Sequence, residues 1–383
     1  MKRTYTLIAL ICLSVFMVLG VASCDKSQLD KFLETTAHEH AFGAWKTVEQ
    51  ENEADGILQE RVCSCGEKET RTVSVSLGLA YTPNPDGETC TVTGIGNCTD
   101  AVLNIPATID GLRVTDIGMQ AFKSCMQLKE VILPDTVIRI QNFAFFMCEN
   151  LESVTLSQSL ESIGESAFFS CSALTGLELP ATVKSIDILV VAGCRALTSL
   201  SVAEANPTFY SEGNCIVERE SKKLVLGCNT SVVPEGVTAI GKHAFQDVYQ
   251  LSQITLPESV TKIEEYAFNG CSGLTSITLS SALTAIGDGA FRGCRSLESI
   301  TIPEGVTSIG AQVFSNCDKL ASVSIPASVT EIGSQAFVFC IALRGVTFAG
   351  TTEQWNAISF GGALVQTVFP FTVTCADGTV NLQ

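Results

Sequence analysis

The sequence predicts an all-β solenoid, a stack of 23-residue coils with a parallel sheet on one edge and short turns or 3-10 segments on the other. A small β-hairpin module precedes it. Three observations predict this. Apolar and small residues recur every 23 positions: Cys125, Cys148, Cys171 and Cys194 form one run, and Cys271, Cys294, Cys317 and Cys340 form another. Within one period, "LTSITL" ends in strand-like alternation, and strands such as "ITLP" and "ITIP" stop at Pro257 and Pro303, where a ladder donor is lost. The chain is 46% apolar and 16% charged, which supports a packed core and excludes wholesale disorder.

The unit reads C-x-x-L-x-x-I-x-L-P-x-x-V-x-x-I-G-x-x-A-F-x-x. Leu251, Leu274, Leu297, Leu320 and Leu343 keep its step, as do Phe245, Phe268, Phe291, Phe314 and Phe337. Val191 stands where one unit expects phenylalanine. In the coil holding Leu274, Ile277 and Leu279 these three point one way and Thr278 the other. In the return segment "SVTKIEEYAF", Val260, Ile263 and Phe268 point inward. One such coil cannot bury its apolar side alone, but stacked coils can, with strands roughly 4.8 Å apart.

This pattern resembles the leucine-rich repeats of BspA-like bacterial surface proteins, over about residues 81–375. The resemblance implies a right-handed leucine-rich-repeat solenoid with a concave parallel sheet. It also implies a place at the cell surface, where the protein binds host matrix or serum proteins or other bacteria. "GTTEQWNAISF…VTCADGTV" resembles the usual C-terminal end of that family and would cap the core.

The organisation read from the sequence begins with a signal peptide, residues 1–23. Lys2 and Arg3 precede an apolar run from Leu7 to Ala22, shorter than the roughly 20 residues of a membrane span. "VASC" resembles the bacterial lipobox, which implies diacylglycerol on Cys24 and a lipid anchor to the envelope. An ordinary secretory peptide and an uncleaved anchor are the alternatives. A tether at 24–37 and a module at 38–75 follow. The repeat array is placed at 76–350, with an insertion about 204–232, and a C-terminal cap at 351–383.

The repeating cysteines read as small buried residues with a weak donor that bonds the adjoining turn. Stacked side chains point in parallel, which disfavours disulfides, and no histidine recurs beside them to hold metal. In the insertion, "NCIVERESKKLVLGC" places Cys215 opposite Cys228 if the turn centres on Ser221-Lys222, giving a candidate cross-strand disulfide. A one-residue slip leaves both unpaired. His38, His40, Cys63 and Cys65 offer four ligands of the tetrahedral zinc type, and their segment resembles a zinc-ribbon-like module. Asn52 stands where that module usually has a cysteine, so a metal-free hairpin is the other reading. Any zinc is structural, and no other cofactor is expected.

The net charge of −17 and the lack of a basic run beyond Lys2-Arg3 exclude nucleic acid as a partner. The chain has three histidines, His38, His40 and His243, and no G-x-S-x-G, H-E-x-x-H or phosphate loop, so it reads as a non-enzyme. His243 reads as a surface residue. The outward mid-strand residues are Ile132, Thr155, Glu178, Ser201, Thr255, Thr278, Thr301, Ser324 and Thr347. Thr155, Glu178, Thr255, Thr278, Thr301 and Ser324 are the candidate binding residues of the concave face; β-branched filling of a solvated sheet is the bland alternative. The function expected is a protein-binding surface adhesin. A structural envelope lipoprotein is the runner-up, and a carbohydrate binder is disfavoured by the shortage of exposed aromatics.

Overall fold

A computed structural model describes Phe42, Gly43, residues 45–48, 57–364 and 371–382. Cys24, His38 and His40, with the expected signal peptide and tether, lie outside the described residues. The chain forms two compact units, residues 1–72 and 73–383.

The first unit is a three-stranded sheet of Lys46–Val48, Ile57–Val62 and Lys68–Val73. Its first pair is antiparallel, with Thr47 opposite Gln59. The guanidinium groups of Arg61 and Arg71 lie 4.6 and 4.3 Å from the centre of the Trp45 ring. Arg71 also donates twice to the buried Gln59 Oε1. Cation and ring replace an aliphatic core that a module this small cannot build.

The second unit is the solenoid. Its main ladder pairs strands 23 residues apart in parallel register: Ser153 with Glu130, Ser276 with Gln253, and Ser299 with Ser322. The return segment, expected to hold only turns, carries a second parallel ladder of two-residue strands. Ile140 pairs with Ile117 and Ile163; Ile263 pairs with Ile240 and Ile286. Each of these isoleucines is buried, so the Ile of "x-x-I-G" fixes both the ladder and the core.

The third edge holds a run of turns rather than 3-10 helix among the described residues. Two residues per coil adopt positive φ, two before and two after the AF phenylalanine. Around Phe122 they are Gln120 and Ser124; around Phe145, Phe143 and Met147; around Phe314, Gln312 and Asn316. The reason is where the N–H groups go. Alternate donors bond within the coil, as Ala121 N–H does to Gly118 and Lys123 N–H to Gln120. The others bond the next coil: Gln120 N–H to Asn142, Phe122 N–H to Ala144 and Ser124 N–H to Phe146. A 3-10 segment would spend every donor on its own i−3 carbonyl and leave the coils unjoined here.

Side chains of the AF phenylalanines stack along the axis. Phe122, Phe145 and Phe168 follow one another at 5.2 and 5.3 Å, and Phe245 to Phe337 continue at 5.0–5.6 Å with planes within about 10° of parallel. Val191 ends the first stack. There the insertion enters as Phe209–Glu212, Cys215–Glu218 and Lys223–Gly227, an antiparallel sheet whose last strand joins the short ladder through Leu224 and Ile240. Its side chains divide between two core clusters. Ile216, Leu226 and Cys228 pack with the earlier coils, and Cys215, Val217 and Leu224 with the later ones. The insertion is thus part of the stack.

At the C-terminal end, Thr352–Asn356 forms a helical turn with a capping box between Thr351 and Gln354. Trp355 is buried and meets Phe348 edge-on at 5.3 Å. The hairpin Phe371–Cys375 and Gly378–Leu382 extends the main ladder past Gly345–Phe348. These elements cover the last coil with aromatic and backbone groups.

Candidate functional site

The main ladder presents the expected hydroxyl column on its outer side. Thr278 lies beside Thr255, and Ser324 lies between Thr301 and Thr347. Glu178, Thr255, Thr278, Thr301 and Thr347 are exposed; Thr155, Ser201 and Ser324 are half-buried. Ile132 departs from the expectation. It is 2% exposed and pairs with Asn104, whose amide donates to the carbonyls of Val73 and Ser74. The N-terminal approach to the array therefore occupies that end of the face. What remains accessible is a strip of small hydroxyl groups with one carboxylate, able to donate and accept hydrogen bonds along several coils.

The repeating cysteines line the opposite, inner side. From the second coil onward each thiol donates to the carbonyl of the phenylalanine 26 residues earlier. Cys148 reaches Phe122 at 2.9 Å, Cys194 reaches Phe168 at 3.1 Å and Cys340 reaches Phe314 at 3.0 Å. Cys125 has Thr99 and no phenylalanine 26 residues before it, and is only half-buried. Burial pushes Cys148, Cys194 and Cys340 up to about 12, and Cys171, Cys271, Cys294 and Cys317 well above the ordinary thiol value. A thiol held protonated inside the core is a hydrogen-bond donor and neither nucleophile nor metal ligand.

The pairing of Cys215 with Cys228 is corrected by the register. Cys215 stands opposite Gly227, one residue short of Cys228. The two side chains then fall on opposite sides of the sheet, in different core clusters. The Cys215 thiol donates to the Gly213 and Val232 carbonyls, that of Cys228 to the Asn214 carbonyl, and neither forms a disulfide. Val217 faces Leu224, so the turn centres on Glu220-Ser221, one position earlier than expected, and the bulge between Ile216 and Val217 restores only one of the two residues of offset.

His243 is half-buried rather than on the open surface. Its Nδ1 meets Gln246 Oε1 at 2.5 Å, its ring stacks on Tyr266 at 5.3 Å, and burial lowers its pKa. In the first unit, Cys63 and Cys65 flank one turn, where Gly66 N–H donates to the Cys63 carbonyl. A backbone hydrogen bond from Glu67 pulls the Cys65 thiol down, but the Cys63 side chain and desolvation together outweigh it, so the net shift is upward. Two sulfurs are thus brought together, half of a tetrahedral donor set. Among the described residues no cluster of three or more His, Cys, Asp or Glu side chains is placed to hold a metal.

One feature passed unnoticed in the sequence. On the turn edge of the early coils, Phe146 stacks on Phe169 at 5.1 Å outside the core, and Phe143 meets Phe146 edge-on at 5.6 Å. The doubled aromatics of "AFFM" and "AFFS", 23 residues apart, are the signal that could have found it.

The fold is a leucine-rich-repeat solenoid. The BspA type leucine rich repeat region matches residues 103–215 and 228–364 in six copies, and the chain belongs to this family. The match skips residues 216–227, most of the two inner strands of the insertion. No curated protein matches the chain. Among solved structures, the pneumococcal vaccine antigen PcpA is similar with a TM-score of 0.57 and 19% identity, over 84% of this chain and 99% of that one. A leucine-rich repeat protein from Eubacterium ventriosum gives 0.55 and 17%, over 80% and 87%. A leucine rich cell surface protein from Faecalibacterium prausnitzii gives 0.45 and 25%, over 75% and 98%. No helix among the described residues is long and apolar enough to cross a membrane.

Proposed function

We propose that the protein is a non-enzymatic, cell-surface lipoprotein that binds host matrix or serum proteins, or other bacteria, through its solenoid. Membership of the BspA type repeat family supports this, and the pneumococcal relative is a vaccine antigen. The observation that carries it is the exposed strip Glu178, Thr255, Thr278 and Thr301, flanked by the half-buried Thr155 and Ser324, laid over a core whose thiols are sealed and protonated. Such a surface offers extended hydrogen bonding and no reactive group. Cys24 carries the lipid in this reading, and the tether leaves the array outside the envelope.

Protease shaving of intact cells tests the location. Wild-type protein is expected to be trimmed from the cell surface and to partition with membranes, and Cys24→Ala to be lost from them. Protein protected from protease until the envelope is opened would instead support a structural envelope lipoprotein. A structural zinc on His38, His40, Cys63 and Cys65 belongs to the same proposal. Purified full chain should then contain about one zinc per molecule, absent in Cys65→Ser, and a metal-free wild type refutes it.

A further inference from the structure

Two aromatic stacks run along the early coils, one inside and one outside. The inner stack is the core. The outer one, Phe146 on Phe169 with Phe143 at its edge, lies on the turn edge, away from the hydroxyl strip. All three rings are only half-buried. Met119 and Met147 occupy the same edge by register and are 61% and 37% exposed. This is the concentration of aromatic and methionine side chains that marks the centres of protein interfaces and that the hydroxyl strip lacks.

Backbone geometry sharpens the point. Phe143 and Met147 both sit at positive φ, 60° and 58°. Equivalent positions hold Gly289 with Gly293 and Ser166 with Ser170 in some coils, and a single large side chain in others, Leu189, Tyr266 or Phe339. Bulky side chains at two strained positions of one coil oppose folding stability, and they place apolar groups outward.

Charge points to the occupant. The Lys123 ammonium lies over the Phe146 ring at 5.6 Å. The six ion pairs seen among the described residues use Arg61, Lys68, Arg139, Lys184, Lys242 and Lys262, so Lys123 takes no carboxylate partner there. Arg195 over Tyr249 and Lys222 over Tyr210 are likewise cations on rings, and Lys123 is the cation placed on this apolar edge. We infer that the turn edge formed by Met119, Lys123, Phe143, Phe146, Met147 and Phe169 is a second binding surface, which docks an apolar segment of a partner protein carrying an aspartate or glutamate. The apolar side chains cover the rings, and the carboxylate meets Lys123 at the rim.

The test selects random twelve-residue peptides displayed on phage against the immobilised full chain. Enriched peptides are then measured on four proteins: wild type, Phe146→Ser with Phe169→Ser, Lys123→Glu, and Thr278→Arg as a sheet-face control. The expected result is enrichment of peptides with an acidic residue among apolar ones. Their affinity should fall at least tenfold in the double variant and at least threefold in Lys123→Glu, and hold in Thr278→Arg. Lys123→Glu alters an exposed residue, so it keeps the test informative if the double variant unfolds. No enrichment, or peptides that bind all four proteins equally, overturns the inference. So does patch-dependent binding to phosphatidylglycerol vesicles, which would make the occupant a lipid surface. Self-association in sedimentation velocity that the patch variants abolish would make it a second copy, and equally overturns it.

Discussion

Removing one ring from the middle of the inner stack should be far more costly than its single side chain suggests. Phe268 is fully buried, with Phe245 at 5.0 Å and Phe291 at 5.4 Å, both within 10° of parallel. Withdrawing that side chain from water is worth about 1.5–3 kcal/mol. Each ring pair adds about 0.5–1.5 kcal/mol. The coil on either side is fixed by both strand ladders and by the turn-edge hydrogen bonds, with Phe245 N–H on Ala267 and Phe268 N–H on Ala290, so the cavity cannot collapse. Phe268→Ala is therefore expected to cost about 3–5 kcal/mol. Phe122 stacks on Phe145 alone, so Phe122→Ala should cost less by about one ring pair, roughly 1 kcal/mol. The assay is guanidinium unfolding followed by circular dichroism, with both variants measured against wild type. A loss under about 1 kcal/mol for Phe268→Ala, or an equal or larger loss at Phe122, would refute the stacked-core reasoning.

Further outcomes follow from the same geometry. Arg139, itself half exposed, pairs with the buried Asp116 carboxylate, which also accepts from Thr115, so Arg139→Ala should destabilise by about 1–3 kcal/mol in thermal or chemical unfolding, and the double change Arg139→Ala with Asp116→Ala by less. Gly293 sits at φ 73°, and a Cβ there would meet the Gly270 backbone at an ordinary 3.6 Å, so Gly293→Ala should cost about 1 kcal/mol from backbone conformation alone. The core thiols have folded pKa values raised above the ordinary 9.0, to about 12 at Cys148, Cys194 and Cys340. Above pH 9 the unfolded chain loses these protons and the folded chain keeps them. Stability should thus be complete below pH 9 and fall as pH rises toward 12, and Cys148→Ala should reduce that slope. At pH 8 a thiol reagent added to native protein should modify the exposed Cys65 and spare the seven fully buried column cysteines, while denatured protein reacts throughout.

The period, the inner phenylalanines and the role of the cysteines were legible in the sequence because each is a one-residue signal repeated at fixed spacing. Phe268 and Cys271 carry the same meaning in every coil. The short ladder was not legible, since a strand of two residues such as Lys262–Ile263 shows no alternation. Nor was the left-handed pattern of the turn edge. Glutamine, serine, phenylalanine, leucine, histidine and glycine all occupy its two positions, because the next coil's carbonyls, and not the side chains, select the conformation. Cys215 and Cys228 show the limit of reading a hairpin by symmetry, as a turn centred one position early and a bulge at Ile216 together leave Gly227 as the partner. Ile132 shows the limit of reading a face by parity alone. It alternates correctly, but the incoming chain at Asn104 closes that end of the sheet. Of the candidate binding residues, the hydroxyl strip was visible as period-two alternation, and the outer aromatic stack was visible only once the turn edge had a geometry.

Binding of the full chain to immobilised matrix and serum proteins, recorded as isotherms for wild type and for a variant carrying Thr255→Arg, Thr278→Arg and Thr301→Arg, tests the protein-binding assignment most directly. The account predicts saturable binding to at least one of them, weakened at least tenfold by the three arginines with the thermal midpoint unchanged. Isotherms that never saturate on any protein of the panel, or saturable binding that the three substitutions leave intact, would contradict it.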